Sequence, residues 1–157
     1  MLGTDDRLEH ALELSYRYLN RSDRTVGEIR RHLEHKQVEA ETLQRTIDTL
    51  IGQGYLDDAR FARQFTADKR EFEQWGNDRI KRGLLSRGVD REQVDAALEE
   101  QATDDTELDR ALAVLRLRFP AAPRDRRERD RALGVLLRKG YDSDLALDAL
   151  AAHTRPN

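Results

Sequence analysis

The chain has 157 residues and a net charge of -3; 38% of its residues are hydrophobic and 38% are charged, with a mean hydropathy of -0.85. This composition is too polar for a thick globular core and is typical of thin helical layers with much exposed surface. The absence of cysteine excludes disulfides, thiolate chemistry and cysteine-based zinc sites. No apolar run approaches the roughly 18 residues of a membrane helix, so we expect a soluble, cytoplasmic protein with no membrane partner.

The same apolar pattern occurs three times along the chain. Its second copy lies 51 residues after the first, and its third lies 52 residues after the second. Matching apolar positions at one period indicate a repeat architecture, which builds long surfaces rather than enclosed pockets. A binding protein is therefore favoured over an enzyme. The period-matched positions are Leu33, Val38, Leu43, Ile47, Leu84, Val89, Val94, Leu98, Leu136, Tyr141, Ala146 and Leu150.

The first repeat is predicted to contain three helices. A first helix with three-four apolar spacing precedes a polar turn. Thr25 and Glu28 then fit a capping box that opens the second helix. Gln37 stands where the later repeats carry Gly88 and Gly140, so we expect the turn at Gln37 to be shaped differently.

The second and third repeats show the same sequence of signals. Asp57 is a good N-cap for the first helix of the second repeat. Thr106 begins the third repeat, and Pro123 suits the first position of its second helix. We therefore predict an all-α protein made of three-helix repeats, with boundaries at 8–54, 55–103 and 104–152.

The GYLDDARFA stretch between the first two repeats suggests a metal or acid site, because two of its carboxylates are adjacent. A structural interpretation is stronger. Gly54 ends one helix, the next two residues pack across the junction, Asp57 caps the following helix, and Asp58 complements its dipole. This structural motif comprises Gly54, Tyr55, Leu56, Asp57, Asp58, Phe61 and Ala62.

Two further sets of side chains suggest chemistry but are better explained as structure. His32 and His35 lie one helical turn apart, yet no third ligand is evident and neighbours such as Lys36 would repel a cation. We expect a solvated pair and no metal. Phe72 and Trp75 could stack on bases, but aromatic residues at helical spacing beside a glycine favour a core position.

Charge is segregated by sign along the chain. Residues 76–91 hold five bases and two acids, residues 124–139 hold seven bases and three acids, and residues 92–109 hold eight acids and no base. Equivalent helices of a repeat protein lie on one side, so the basic residues can line a ribbon suited to phosphates or an acidic protein surface. The alternative is a solvated face with ion pairs along each helix. The candidate binding residues are Arg79, Lys81, Arg82, Arg87, Arg124, Arg126, Arg127, Arg131, Arg138 and Lys139.

Motifs in all three repeats resemble those of the RecX family of bacterial recombination regulators. They are GYLDDARFA at 54–62, the second-repeat residues 76–80 with 87–90, and the third-repeat residues 138–142. Their order and spacing agree with the family, and the resemblance covers residues 8–152. It implies an elongated, curved array of three tandem three-helix repeats.

The resemblance also implies a function in DNA repair and homologous recombination. RecX-like proteins bind the RecA recombinase filament on single-stranded DNA, limit its growth and damp its ATPase, strand-exchange and coprotease activities, the last of which links them to the SOS response. No cofactor or catalytic residue belongs to that function, DNA is met through the filament, and we expect a monomer. The alternatives are a helical-repeat protein that binds nucleic acid directly without RecA, and an adaptor for an unrelated partner.

Overall fold

The computed structural model describes residues 3–100 and 106–155, and all regular secondary structure within them is α-helical. The predicted all-α fold with three helices in each repeat is confirmed. The helices are α1 Thr4–Leu19, α2 Val26–His35, α3 Ala40–Gly52, α4 Asp58–Phe72, α5 Asn77–Ser86, α6 Arg91–Glu100, α7 Glu107–Arg118, α8 Arg126–Lys139 and α9 Ser143–Thr154.

The period-matched apolar positions form the interior of the protein, as the repeat pattern predicts. All of them are buried except Val38 and Leu98, which are half-buried. Those in helices lie on one face, because apolar residues three and four positions apart share a face. Val38, Val89 and Tyr141 lie in the turns that follow α2, α5 and α8. The burial of these side chains is what holds such short helices in place, since helices of this length are marginal alone.

The chain divides into two compact units that do not coincide with the repeats. Unit 1 runs to Ala62 and adds Leu84–Val94, whereas unit 2 comprises Arg63–Gly83 and the chain from Asp95 onward. The second repeat thus contributes to both units. The three repeat boundaries stay a prediction, and the one at 103/104 lies outside the described residues.

Each unit has its own apolar core. In unit 1, α1 packs on α2 and α3, and in unit 2, α9 packs on α7 and α8. The unit 1 core contains Ile29, Leu33, Leu43, Ile47, Leu50 and Leu56. The unit 2 core contains Ala111, Leu112, Val114, Leu115, Ala132, Val135, Leu136, Tyr141, Ala146, Ala149 and Leu150.

The predicted caps fix the starts of α2 and α4. The Thr25 hydroxyl accepts from the Glu28 N–H, and a Glu28 carboxylate oxygen accepts from the Thr25 N–H, both at 3.1 Å. The prediction for Pro123 is wrong. Helix α8 begins after Asp125, whose carboxylate accepts from the Glu128 N–H at 2.9 Å. An aspartate satisfies an orphan amide that proline cannot, so it sets the start of the helix.

The turn after the second helix has the same form in all three repeats, so the prediction of a different turn at Gln37 is wrong. Gln37 has a φ of 61°, close to the 85° of Gly88 and the 96° of Gly140. The N–H of the residue after each of them donates to the carbonyl oxygen five residues earlier, at 3.0, 3.1 and 3.1 Å. These bonds close the helix end, and they hold a non-glycine residue in the left-handed region.

Candidate partner-binding surface

Arg87, one of the predicted binding residues, forms contacts within unit 1 that join the end of α5 to the start of α2. We call such a contact a helix-end junction. Its Nε and Nη2 donate to the two carboxylate oxygens of Glu28 at 3.0 and 3.1 Å. Its carbonyl oxygen accepts from the Thr25 hydroxyl, and its guanidinium lies 4.9 Å from the ring centre of Phe61. The start of α2 thus meets the end of α5, and the charge of Arg87 is neutralised by Glu28.

Arg79 takes part in a second helix-end junction, which joins the start of α5 to the end of α8 within unit 2. The N–H groups of Gly76 and Asp78, at the start of α5, donate to the carbonyls of Lys139 and Gly140 at the end of α8, at 2.7 and 3.0 Å. Amides at a helix start and carbonyls at a helix end carry opposite partial charges, so this contact stabilises both ends. Nη1 of Arg79 donates to the Arg138 carbonyl at 3.0 Å.

Lys139 belongs to a cluster of cations beside that junction. Its Nζ donates to the carbonyl of Glu73 at 2.8 Å. Burial lowers the pKa of Lys139, and the charges of Arg118 and Arg79 lower it further, while Glu73 opposes them. Sequence reasoning missed Arg118, which ends α7. The signal available was the pair of basic residues, Arg116 and Arg118, in the last turn of that helix.

The two remaining candidate binding residues of the second repeat, Lys81 and Arg82, differ in the contacts that their charged groups make. Lys81 forms an ion pair with Asp95 at 3.4 Å. Arg82 is exposed, and its Nε donates weakly to the Asp78 carbonyl within the same helix at 3.4 Å. Of the second-repeat candidates, Arg82 therefore keeps the most accessible charge.

The third repeat holds the exposed part of the predicted surface. Arg126, Arg127 and Arg131 on α8 are exposed and make no hydrogen bond or ion pair to any described residue. Arg124, just before α8, meets Glu128 at 3.5 Å. The Arg138 side chain is exposed at the other end of the helix. We call these five residues the α8 basic face.

In the GYLDDARFA stretch both aspartates cap helices, and two members of the stretch act differently from expectation. Asp57 caps α4 by accepting from the Arg60 N–H at 3.0 Å. Asp58 is only 8% exposed and accepts from the Val26 N–H at 2.9 Å, so it caps α2 rather than only complementing its own helix. Burial raises the pKa of Asp58, which the Val26 bond partly offsets.

The other members of this motif fill the turn and the interior. Gly54 has a φ of 82°, Leu56 and Ala62 are buried, and Phe61 is half-buried. Tyr55 was expected to pack across the junction but is 57% exposed, with its ring 5.6 Å from that of Tyr16. The motif therefore orders the turn between α3 and α4.

The histidine and aromatic predictions are corrected in part. The His32 ring is half-buried and stacks on Tyr18 at 4.0 Å, whereas His35 is exposed, so only His35 is fully solvated as predicted. Phe72 is 69% exposed, so its predicted core position is wrong. Trp75 is half-buried, with the Arg79 guanidinium 4.2 Å and Lys69 4.6 Å from its ring. The described residues contain no group of three or more side chains that could hold a metal ion.

The repeated three-helix pattern and the helix-end junctions define a helical-repeat protein, and the α8 basic face is an exposed, positively charged surface on it. None of the described helices is both long and apolar enough to cross a membrane. The sequence profile of the family described as "RecX, first three-helix domain" matches residues 11–50, and that of "RecX, second three-helix domain" matches residues 57–98. The chain belongs to the RecX family of regulatory proteins.

Individual relatives agree with this assignment. The regulatory protein RecX of Trichlorobacter lovleyi is 36% identical over 132 residues, covering 82% of this chain and 86% of the relative. That of Leptothrix cholodnii is 31% identical and covers 85% and 83%. The crystal structure of RecX from Lactobacillus salivarius has a TM-score of 0.79 at 20% identity, covering 94% of this chain and 97% of that one. At this identity the structural likeness concerns the fold.

Proposed function

We propose that this protein is a non-catalytic regulator that binds RecA recombinase filaments on single-stranded DNA in the cytoplasm. In this proposal it limits filament growth and lowers the ATPase, strand-exchange and coprotease activities. Membership of the RecX family is the observation that carries the proposal. Single-stranded DNA is met through the filament, and the protein acts as a monomer.

The α8 basic face is the surface best suited to contact the filament. Its arginines project into solvent, whereas Arg79 and Arg87 are held by the helix-end junctions. Arginine forks pair well with carboxylates and phosphates. A protein seated in this way would act sterically, by competing with DNA or with an incoming recombinase subunit.

The alternative function is direct nucleic-acid binding without RecA. The α8 basic face and the cluster of Arg79, Arg118 and Lys139 are the observations that favour it. A protein that neutralises phosphates loses affinity steeply as salt is raised. Binding to naked single-stranded DNA should therefore be measured over a salt series. Strong, salt-sensitive binding without RecA would favour the alternative.

The experiment that tests the proposal is the steady-state ATPase of RecA on single-stranded DNA, with this protein added below one molecule per recombinase subunit. Inhibition at such ratios supports an action on the filament, by capping its end or by cooperative disassembly. No effect even in excess, over a range of salt concentrations, would reject a role in RecA regulation.

Charge reversal on α8 locates the contact. We predict that the triple variant Arg126→Glu, Arg127→Glu, Arg131→Glu loses most of its inhibition of RecA. Helicity and Tm should stay nearly unchanged, because the three side chains are exposed and make no hydrogen bond or ion pair within the described residues. Surviving inhibition in a folded triple variant would show that α8 is not the contact.

A matched control separates local contact from overall charge. Arg21, Arg60 and Arg91 are exposed residues of unit 1, and the last two lie in the first turn of a helix, where glutamate is well accommodated. Reversing these three changes the net charge by the same amount. The control variant should inhibit RecA like the wild type, since its α8 basic face is intact.

A further inference from the structure

Gly134 lies in the middle of α8 without a packing reason to be glycine. A side chain on Gly27 would meet the backbone of Gly88 at 2.9 Å, and one on Gly83 would meet the Phe65 ring at 2.9 Å. A side chain on Gly134 would meet only the guanidinium of Arg138, at 3.0 Å, which can swing away. Glycine weakens a helix interior, so its presence here is not explained by the fold.

The other repeats carry arginine at the equivalent position. With the repeat spacing that aligns Leu33, Leu84 and Leu136, Gly134 corresponds to Arg31 and Arg82. A long, charged, helix-favouring side chain is therefore accommodated at the same place in the first two repeats, and both arginines are exposed there. The third repeat differs by lacking any side chain at this point.

Gly134 is surrounded on α8 by exposed side chains. Arg127, Arg131, Gly134 and Arg138 follow one another at helical spacing, so they share one side of the helix. Leu137, one turn beyond Gly134, is 41% exposed. The three arginines are exposed as well. Gly134 is half-buried, the movable Arg138 guanidinium lies over it, and an exposed apolar side chain lies next to it.

We propose that this face is a docking cradle for an acidic segment of the recombinase, whose backbone comes into contact with α8 at Gly134. The arginines would pair with carboxylates on either side of that contact, and Leu137 would cover an apolar side chain. The inference deepens the proposed function and rests on it. It adds that the affinity for the recombinase depends on the close approach of the partner's backbone to Gly134, and not only on the positive charge of α8.

A protein segment fits this face better than a nucleic-acid strand does. Asp130 lies one turn before Gly134 and is exposed, while Leu137 lies one turn after it. A phosphodiester backbone carries a charge at every nucleotide, so it would place phosphates near the Asp130 carboxylate and over the Leu137 side chain. A polypeptide can present carboxylates to the arginines and neutral side chains elsewhere.

Two substitutions of Gly134 test the cradle. Gly134→Ala should raise Tm by about 2–4 °C because alanine favours the helix, and it should raise the concentration needed for half-inhibition of RecA ATPase about tenfold. Gly134→Arg restores the residue type of the other repeats and adds a positive charge. If diffuse charge governed binding, Gly134→Arg would inhibit better than the wild type; the cradle predicts that it inhibits worse.

Gly52→Ala is the control, because Gly52 also lies in a helix and a side chain there meets nothing within 4 Å. It should inhibit RecA like the wild type. Undiminished inhibition by both Gly134 variants would overturn the cradle and leave the proposed function standing. A wild type that does not inhibit RecA would overturn both. A parallel fall in affinity for a labelled oligonucleotide without RecA would assign the face to nucleic acid and reject the acidic protein segment.

Discussion

Because Gly27 contacts Gly88 in unit 1, we expect alanine at position 27 to lower the stability of the protein, although helix propensity alone predicts that it would raise it. Gly27 is the second residue of α2, where the sequence alone would favour alanine by about 1 kcal/mol. In the folded protein, however, a side chain at Gly27 would lie 2.9 Å from both the Cα and the carbonyl oxygen of Gly88. We predict that Gly27→Ala destabilises the protein.

The size of the destabilisation by Gly27→Ala depends on whether the atoms around the new side chain can move away. The neighbour is backbone, and Gly88 is held at a φ of 85° by the bonds that close α5, so no rotamer change relieves the contact. Overpacking of this kind costs about 1–3 kcal/mol. After the gain in helix propensity is subtracted, we expect the free energy of unfolding to fall by about 0–2 kcal/mol.

Gly52→Ala provides the comparison within the same unit. Gly52 ends α3 and has open space around it, so alanine should leave stability unchanged or raise it by up to about 1 kcal/mol. Urea unfolding followed by far-ultraviolet circular dichroism gives both values. If Gly27→Ala proves as stable as Gly52→Ala, the close approach of the two helix ends in unit 1 is wrong.

Two further predictions concern single residues of unit 1. Gln37→Gly should raise the free energy of unfolding by about 0.5–1 kcal/mol, because glycine removes the strain of a φ of 61° and loses only part of that gain to chain entropy; a lower urea midpoint would contradict this. Asp58→Asn keeps an oxygen that can accept from the Val26 N–H. Burial raises the pKa of Asp58 above its ordinary 3.8, so the folded wild type binds this proton more tightly and loses stability as pH rises above that value. The stability of Asp58→Asn relative to the wild type should therefore improve when the pH is raised from about 4 to about 7. If the urea midpoints of the two proteins differ by the same amount at both pH values, this prediction is wrong.

The sequence predicted the local structure well because the signals for it are local. The apolar period identified the buried face of each repeat, and Thr25, Glu28 and Asp57 marked helix starts through side chains that bond to amides three residues away. These interactions need no partner from elsewhere in the chain. Membership of the RecX family rests on the matches to its first and second three-helix domains at residues 11–50 and 57–98.

The candidate surface was predicted only as a set of basic residues. From sequence, Arg87 and Arg131 are alike, since both are arginines on amphipathic helices. The structure separates them, because Arg87 meets Glu28 across 59 residues of chain whereas Arg131 meets solvent. Periodicity identifies the buried face of a helix but does not show which cations another helix end will engage.

The sequence by itself thus determined the helices, the buried face of each repeat and the caps that begin α2 and α4, since each depends on residues within one or two turns. Only the tertiary structure decided which glycines are required and that Asp58 caps α2. The physical reason is the same in each case. Close approach of two helix ends and burial of a carboxylate are set by chain segments far apart in sequence, and these segments meet only when the apolar faces have packed.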